Sequence, residues 1–177
     1  MKNMALTIKG VDPARNQALA DVEKQAGPSN FFRTMAHRPE AMQDFFRLYT
    51  DIMGSGTLDR RLKEIVYLAV SSVNECDYCS SHHVKSGLAA GLTAQEIQEV
   101  RTEQNQNFNP KEVAALHYAR ELTRTAAVEG NTRDSLQQLF SADQQVELTL
   151  TIALANFTNR FNNGLSVPRE DAQAATR

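Results

Sequence analysis

Two cysteines three residues apart, Cys76 and Cys79, are the only cysteines in this chain of 177 residues. His83 follows Cys79 by four residues, so on an α-helix its imidazole lies one turn further along the same face. A helix N-terminus or a neighbouring imidazole favours the thiolate form of a cysteine, and the thiolate is the nucleophile. A second cysteine within one turn can attack a sulfenic acid on the first, which closes a disulfide and releases water. The spacing therefore predicts reversible thiol–disulfide chemistry.

A carboxylate from the preceding helix is the candidate partner of this histidine. Glu64 lies twelve residues before Cys76, and a chain that folds back near Asn74 can bring the carboxylate to His83. The sequence predicts that a new helix begins at about Asn74 and reaches Gly91, with Cys76 in its first turn. Glu64 would then act as the base behind the histidine.

The cysteine pair is also compatible with two roles that involve no redox chemistry. The cysteines can serve as small apolar core residues. They can also bind zinc together with His83, although a structural zinc site needs a second ligand pair at short spacing, which the sequence lacks. The fourth zinc ligand would be His82, His37 or His117. A thioredoxin-like site is excluded, because it requires a βαβ context that is missing here. We expect no bound metal.

Helix-forming signals recur along the chain. A capping residue precedes a proline at Asp12-Pro13 and at Asn109-Pro110, and Thr93 with Glu96 matches a capping box. Residues 146–157 are apolar on nearly every turn, which is typical of a helix surrounded by other helices. Strand-type alternation and Asn-Gly or Asp-Gly hairpin turns are absent from the sequence. The pattern predicts an all-α protein.

The predicted organisation is one single-domain helical bundle of about seven or eight helices over residues 1–165, followed by a polar C-terminal tail over residues 166–177. Hydrophobic residues make up 41% and charged residues 23% of the chain, the balance of a soluble globular protein. A net charge of −2 gives no basic footprint for nucleic acid. No apolar run is long enough for a transmembrane helix and no secretory segment is recognisable, so we expect a cytoplasmic protein.

Taken together, these features resemble the alkylhydroperoxidase AhpD-like family of the carboxymuconolactone decarboxylase superfamily. The residues that carry the resemblance lie between Leu58 and Glu99 and comprise Glu64, the run Asn74-Glu-Cys-Asp-Tyr-Cys79 and His83. Residues 31–39 and 156–163 are similar to the peroxidase-related branch. The resemblance implies an all-helical bundle of the AhpD-like type that assembles into a homo-oligomer, either a trimer or a hexamer.

The resemblance also implies a thiol-dependent peroxidase that reduces hydroperoxides in antioxidant defence. Cys79 would meet the peroxide and Cys76 would resolve the sulfenic acid, while His83 relays the proton. Glu64 corresponds to the catalytic glutamate of the family. The helix-terminus argument alone favours Cys76 as the more acidic thiol; we follow the histidine, which favours Cys79, because a base acts only within hydrogen-bond reach. An external dithiol, a reductant protein or a lipoyl group, would reduce the disulfide, and no bound cofactor is expected.

Three alternative functions remain at this point. The same pair of cysteines serves equally in a disulfide reductase or a redox sensor. Decarboxylation or lactone chemistry, as in the members that name the superfamily, does not depend on a cysteine pair. A zinc-stabilised interaction module is the third. The sequence departs from the family pattern at Tyr78, where some members carry a histidine, so the roles of Tyr78 and His82 stay unassigned.

Overall fold

The computed structural model describes residues 8–170, which form nine α-helices and one short 3-10 helix and contain no β-strand. The 3-10 helix is Pro13–Arg15, and the α-helices are α1 Gln17–Ala26, α2 Asn30–Met35, α3 Pro39–Met53, α4 Arg60–Val73, α5 Asp77–Ala89, α6 Ala94–Arg101, α7 Pro110–Thr125, α8 Gly130–Leu139 and α9 Ala142–Leu165. The predicted all-α fold class is confirmed. The described residues contain more helices than expected, because α2 and α8 are separate short helices.

The chain divides into two compact units, residues 8–51 with 161–170 and residues 52–160. In the first unit, the ring of Phe31 packs edge-on against Phe32, Phe45 and Phe161, with centroids 5.1, 5.3 and 5.3 Å apart. Such aromatic pairs give a small unit a dense apolar centre. The predicted tail is described only as far as Glu170, whose carboxylate accepts from the backbone N–H of Asn30 at 2.8 Å; its remainder lies outside the described residues.

Helix α4 is the central element of the second unit. Every residue from Leu62 to Ser71 is buried, and the helix contacts α5, α6 and α7. Arg61 ties three of these helices together, because its guanidinium donates to Glu112 at 2.8 Å and forms an ion pair with Glu96. Although burial alone raises the pKa of Glu96, hydrogen bonds from Arg61 and Thr93 lower it below the ordinary value.

A buried lysine anchors the start of α4. The side chain of Lys63 is fully buried, donates to the carbonyls of Ile52 and Gly54 at 2.8 Å, and forms an ion pair with Glu147 of α9. Thr57 donates to the same carboxylate through its backbone N–H at 2.6 Å and its hydroxyl at 2.5 Å. Burial raises the pKa of Glu147, but the bonds from Lys63 and Thr57 outweigh it and lower the pKa to about 2. The loop before α4 is therefore fixed to α9.

Helix α9 is less buried than the sequence predicts. Its predicted apolar stretch is only partly covered, because Val146, Leu150, Ala153 and Phe157 are exposed at spacings of four, three and four residues. This spacing places them along one face of the helix. Hydrophobicity alone does not distinguish a face covered within the chain from a face left open, which is why the sequence overestimated the burial. Within residues 8–170, no helix combines the length and apolar character needed to cross a membrane.

Candidate functional site

Cys76 and Cys79 form a disulfide between the N-terminus of α5 and its first turn, with their Cα atoms 5.4 Å apart. Helix α5 begins at Asp77, and Cys76 is its N-cap residue. The predicted start at about Asn74 is therefore wrong, because Asn74 is the C-cap of α4 and Glu75 turns the chain with a left-handed φ of 50°. The sulfur of Cys76 accepts a hydrogen bond from the backbone N–H of Cys79 at 3.3 Å, so it occupies the position of a capping oxygen.

Side chains from α9 hold the turn that carries this disulfide. The amide nitrogen of Asn74 donates to the side-chain oxygens of Asn156 and Asn159, each at 3.0 Å. Asn159 in turn donates to the hydroxyl of Ser71 at 3.2 Å, and the backbone N–H of Cys76 donates to the carbonyl of Ser71 at 2.9 Å. Sequence analysis assigned no site role to these asparagines. The signal that would have found them is the cluster of asparagines near the end of α9.

Glu64 and His83 meet inside the second unit. Oε2 of Glu64 lies 2.7 Å from Nδ1 of His83, and both side chains are buried. An ionised carboxylate only accepts hydrogen bonds, so Nδ1 carries the proton and donates it. In the neutral ring, Nε2 is then left as the basic nitrogen. With an ionised Glu64, this hydrogen bond places the free lone pair of the imidazole on Nε2.

Two further residues surround this pair, and sequence analysis identified neither. The ring of Tyr67 stacks on the imidazole of His83 with centroids 3.5 Å apart and planes 16° from parallel. The Tyr67 hydroxyl lies 2.5 Å from the hydroxyl of Thr158. Arg60 binds the other oxygen of Glu64, with Nη2 2.5 Å from Oε1. Arg60 and Tyr67 lie one turn before and almost one turn after Glu64 on α4, so helical spacing is the signal that would have found them.

The two sulfurs lie in a buried environment. Cys76 is 1% exposed and Cys79 is 4% exposed. Cys79 precedes His83 by four residues on α5, which places their Cβ atoms about 5–6 Å apart. This arrangement combines a thiol pair that can interconvert with a disulfide, a helix N-terminus that favours a thiolate, and an imidazole one turn away. A reactant must be small, or the surrounding side chains must move, for it to reach Cys79.

The histidines considered as further zinc ligands have other surroundings. Nε2 of His37 lies 2.9 Å from the carbonyl of Lys9, and Nε2 of His117 lies 3.3 Å from the amide of Asn105. His82 stacks on Tyr78 with centroids 4.7 Å apart. In the described part of the chain, no three His, Cys, Asp or Glu side chains are grouped as a metal site.

Comparison with sequence families gives a match to the carboxymuconolactone decarboxylase family over residues 39–121. This range contains all four candidate residues, namely Glu64, Cys76, Cys79 and His83. A curated relative, uncharacterized protein 4 in the cox locus of Paracoccus denitrificans, is 34% identical over 55 residues. That match spans 31% of this chain and 50% of the length of the relative.

Solved structures with the same fold include a debrominase and AhpD-related proteins. The debrominase Bmp8, in a variant bound to 2,3,4-tribromopyrrole, has a TM-score of 0.79 and 23% identity, covering 99% of this chain and 96% of its own. A protein of unknown function from Agrobacterium tumefaciens, described as a candidate antioxidant defence protein AhpD, has a TM-score of 0.71 and 26% identity, covering 75% and 92%.

A third structure is similar over most of the chain. The alkylhydroperoxidase AhpD core of a peroxidase-related protein from Ralstonia eutropha JMP134 has a TM-score of 0.78 and 22% identity, covering 92% of this chain and 88% of its own. Residues 39–121 are similar to the carboxymuconolactone decarboxylase family, and the chain has the AhpD-like fold.

Proposed function

We propose that the protein is a thiol-dependent peroxidase that reduces hydroperoxides to alcohols and water. In the reduced protein, His83 accepts the thiol proton of Cys79, and the thiolate attacks the terminal peroxide oxygen. The O–O bond breaks, Cys79 becomes a sulfenic acid, and the proton held by His83 passes to the departing alkoxide to give ROH. The thiol of Cys76 then displaces water from the sulfenic acid, which closes the disulfide.

The observation that carries this proposal is the Glu64–His83 hydrogen bond at 2.7 Å, one helical turn from a cysteine that is disulfide-bonded to its neighbour. A carboxylate that accepts from Nδ1 orients the ring and stabilises the imidazolium formed when Nε2 takes a proton. A structural disulfide has no need of a buried carboxylate–imidazole pair beside it. The burial of the thiols favours small hydroperoxides as substrates.

The cycle requires an external dithiol. Two thiols of the reductant, on a protein or a lipoyl group, are oxidised to a disulfide while Cys76 and Cys79 return to thiols. The N-terminus of α5 supports this step, because the sulfur of Cys76 already accepts a backbone hydrogen bond that also stabilises a leaving thiolate.

The proposal is tested by following the loss of a small alkyl hydroperoxide with dihydrolipoamide as reductant. Wild-type protein should turn over, Cys79→Ser should be inactive, and Cys76→Ser should stop after one equivalent with a trappable sulfenic acid on Cys79. His83→Asn should slow turnover roughly 100- to 10,000-fold. The matched control is His82→Asn, the neighbouring histidine stacked on Tyr78, which should retain wild-type activity. Undiminished turnover by Cys79→Ser would refute the mechanism.

Reductive dehalogenation is a second candidate. It is favoured by the similarity to Bmp8, which extends over 99% of this chain. The balance uses the same thiols: an aryl bromide and two thiols give the arene, HBr and the Cys76–Cys79 disulfide. The test measures bromide release from 2,3,4-tribromopyrrole by the reduced protein. Release that is faster than peroxide reduction, and that is lost in both serine variants, would favour this reaction over the first.

We also propose that the chain forms a homo-oligomer. The exposed apolar face of α9 supports this proposal; it is formed by Val146, Leu150, Ala153 and Phe157. Burying such a face against another subunit removes apolar surface from water and is therefore favourable. Sedimentation equilibrium distinguishes a monomer from a trimer or a hexamer. Leu150→Glu should shift the distribution toward the monomer, and a monomeric wild type would contradict the proposal.

A further inference from the structure

Arg60 is the solvent-facing end of the chain of contacts that includes His83. Its side chain is 46% exposed, whereas that of Glu64 is completely buried. The guanidinium donates from Nη1 to the carbonyl of Met53 at 2.7 Å and binds Oε1 of Glu64 through Nη2 at 2.5 Å. A hydrogen bond and an ion pair, made through different nitrogens, therefore hold the guanidinium beside Glu64. The Glu64 carboxylate lies between this cation and Nδ1 of His83.

The ion pair places a cation beside a fully buried carboxylate. A carboxylate removed from water and left without a cation becomes neutral by taking up a proton. A neutral carboxylic acid donates a hydrogen bond, whereas an ionised one only accepts. Facing Nδ1 of His83, an ionised Glu64 requires the ring proton on Nδ1. A neutral Glu64 keeps its proton and donates a hydrogen bond to the Nδ1 lone pair, so the ring proton lies on Nε2.

We propose that Arg60 is a positioning residue that selects the tautomer of His83. With Arg60 in place, Glu64 is ionised, Nδ1 of His83 carries the proton, and Nε2 is free to accept one. Without the cation, Nε2 carries the proton and the neutral ring can no longer serve as the base. The kinetic consequence rests on the proposed peroxidase function, but the tautomer itself does not.

A second arginine provides the matched control. Arg124 is also 46% exposed and is paired with a glutamate, but the partner, Glu103, is 49% exposed. Water therefore solvates Glu103 when its cation is removed, and no buried carboxylate is left without a partner. Arg60 is the first residue of α4 and Arg124 lies in the last turn of α7, so each substitution removes a half-exposed arginine from a helix end of the second unit.

The test is nitrogen-15 NMR of histidine-labelled protein in the disulfide form at pH 7, in which long-range couplings distinguish the two neutral tautomers. Wild type, Arg60→Lys and Arg124→Met should show the proton of His83 on Nδ1, and Arg60→Met should show it on Nε2. Arg60→Gln, which keeps a donor for Met53 but no charge, should behave as Arg60→Met and covers the case in which the latter does not fold. An unchanged tautomer in Arg60→Met or Arg60→Gln would overturn the inference.

Kinetics separate this inference from the proposed function. If both hold, Arg60→Met should lower kcat roughly 100- to 10,000-fold with little change in KM, and Arg60→Lys should restore most of it. A tautomer that changes in a protein with no peroxide turnover would refute the peroxidase function alone. Peroxide turnover that persists in a variant with an unchanged tautomer would refute the role of Arg60 alone.

Discussion

Glu147→Gln should destabilise the protein by an amount that depends on pH. The carboxylate of Glu147 neutralises the fully buried Lys63 and accepts two hydrogen bonds from Thr57. Lowering its pKa from 4.5 to about 2 corresponds to about 3 kcal/mol of folding free energy, at about 1.4 kcal/mol for each pH unit. Gln resembles the protonated acid and leaves the lysine without its counter-charge. We therefore expect Glu147→Gln to lose about 3 kcal/mol at pH 7.

The sign of the pH dependence follows from the direction of the shift. Because the pKa of Glu147 is lower in the folded protein than in the unfolded chain, its contribution is complete above pH 4.5 and is lost as the pH falls toward 2. The difference in unfolding free energy between wild type and Glu147→Gln should therefore shrink over this range. Other carboxylates titrate in both proteins, so their contributions cancel in the difference.

Urea unfolding followed by circular dichroism measures this difference, and tryptophan fluorescence is not an option because the chain has no tryptophan. Series at pH 7, 5, 4 and 3 cover the upper part of the range over which the contribution of Glu147 is lost. Asp143→Asn, at an exposed acidic residue in the first turn of α9, is the control and should change stability by less than about 0.5 kcal/mol. A Glu147→Gln difference below about 1 kcal/mol at pH 7, or one that is equal at pH 7 and pH 3, would refute the reasoning.

Three further predictions concern the same unit. Asn74→Ala removes the amide that binds two asparagines of α9 and should cost about 1–2 kcal/mol in urea unfolding; a loss under about 0.5 kcal/mol would contradict it. Thr158→Val removes the hydroxyl next to that of Tyr67 and should lower the free energy of unfolding by about 1 kcal/mol; an unchanged stability would contradict this contact. Gly91→Ala, at a φ of +90°, should lower stability by about 1 kcal/mol, whereas Gly130→Ala at the start of α8, with open space around it, should be neutral or stabilising; equal melting temperatures would contradict this contrast.

Local signals were sufficient for much of the fold. The capping box of Thr93 and Glu96 is present at the start of α6, and Asn109 caps α7 in front of Pro110. These signals act within one helical turn, so a sequence displays them completely. The Asp12-Pro13 signal produced a 3-10 helix instead, and α1 begins at Gln17 behind a second cap, Asn16. Two capping residues in succession leave the first helix start ambiguous.

The candidate site was predictable in its residue types but less so in its geometry. The spacing of Cys79 and His83 places them on one helix face, whereas the approach of Glu64 to His83 depends on how α4 packs against α5. The wrong start of α5 has a long-range cause as well, because Asn74 binds side chains of α9 more than 80 residues away. Sequence spacing carries no information on such contacts. Arg60 was missed for a different reason: its spacing of four residues from Glu64 is local, but beside other basic residues it looks like a solvated charge.

The disulfide closes a very small ring. Its two cysteines are three residues apart, so reducing the disulfide frees only a short segment. The stabilisation from loop entropy that is lost is on the order of 2 kcal/mol, well below that of a disulfide that closes a long loop. The sulfur of Cys76 caps α5 in the disulfide form, and the asparagine contacts of the preceding turn involve neither cysteine. We therefore expect the bundle to stay folded when two electrons reduce this disulfide.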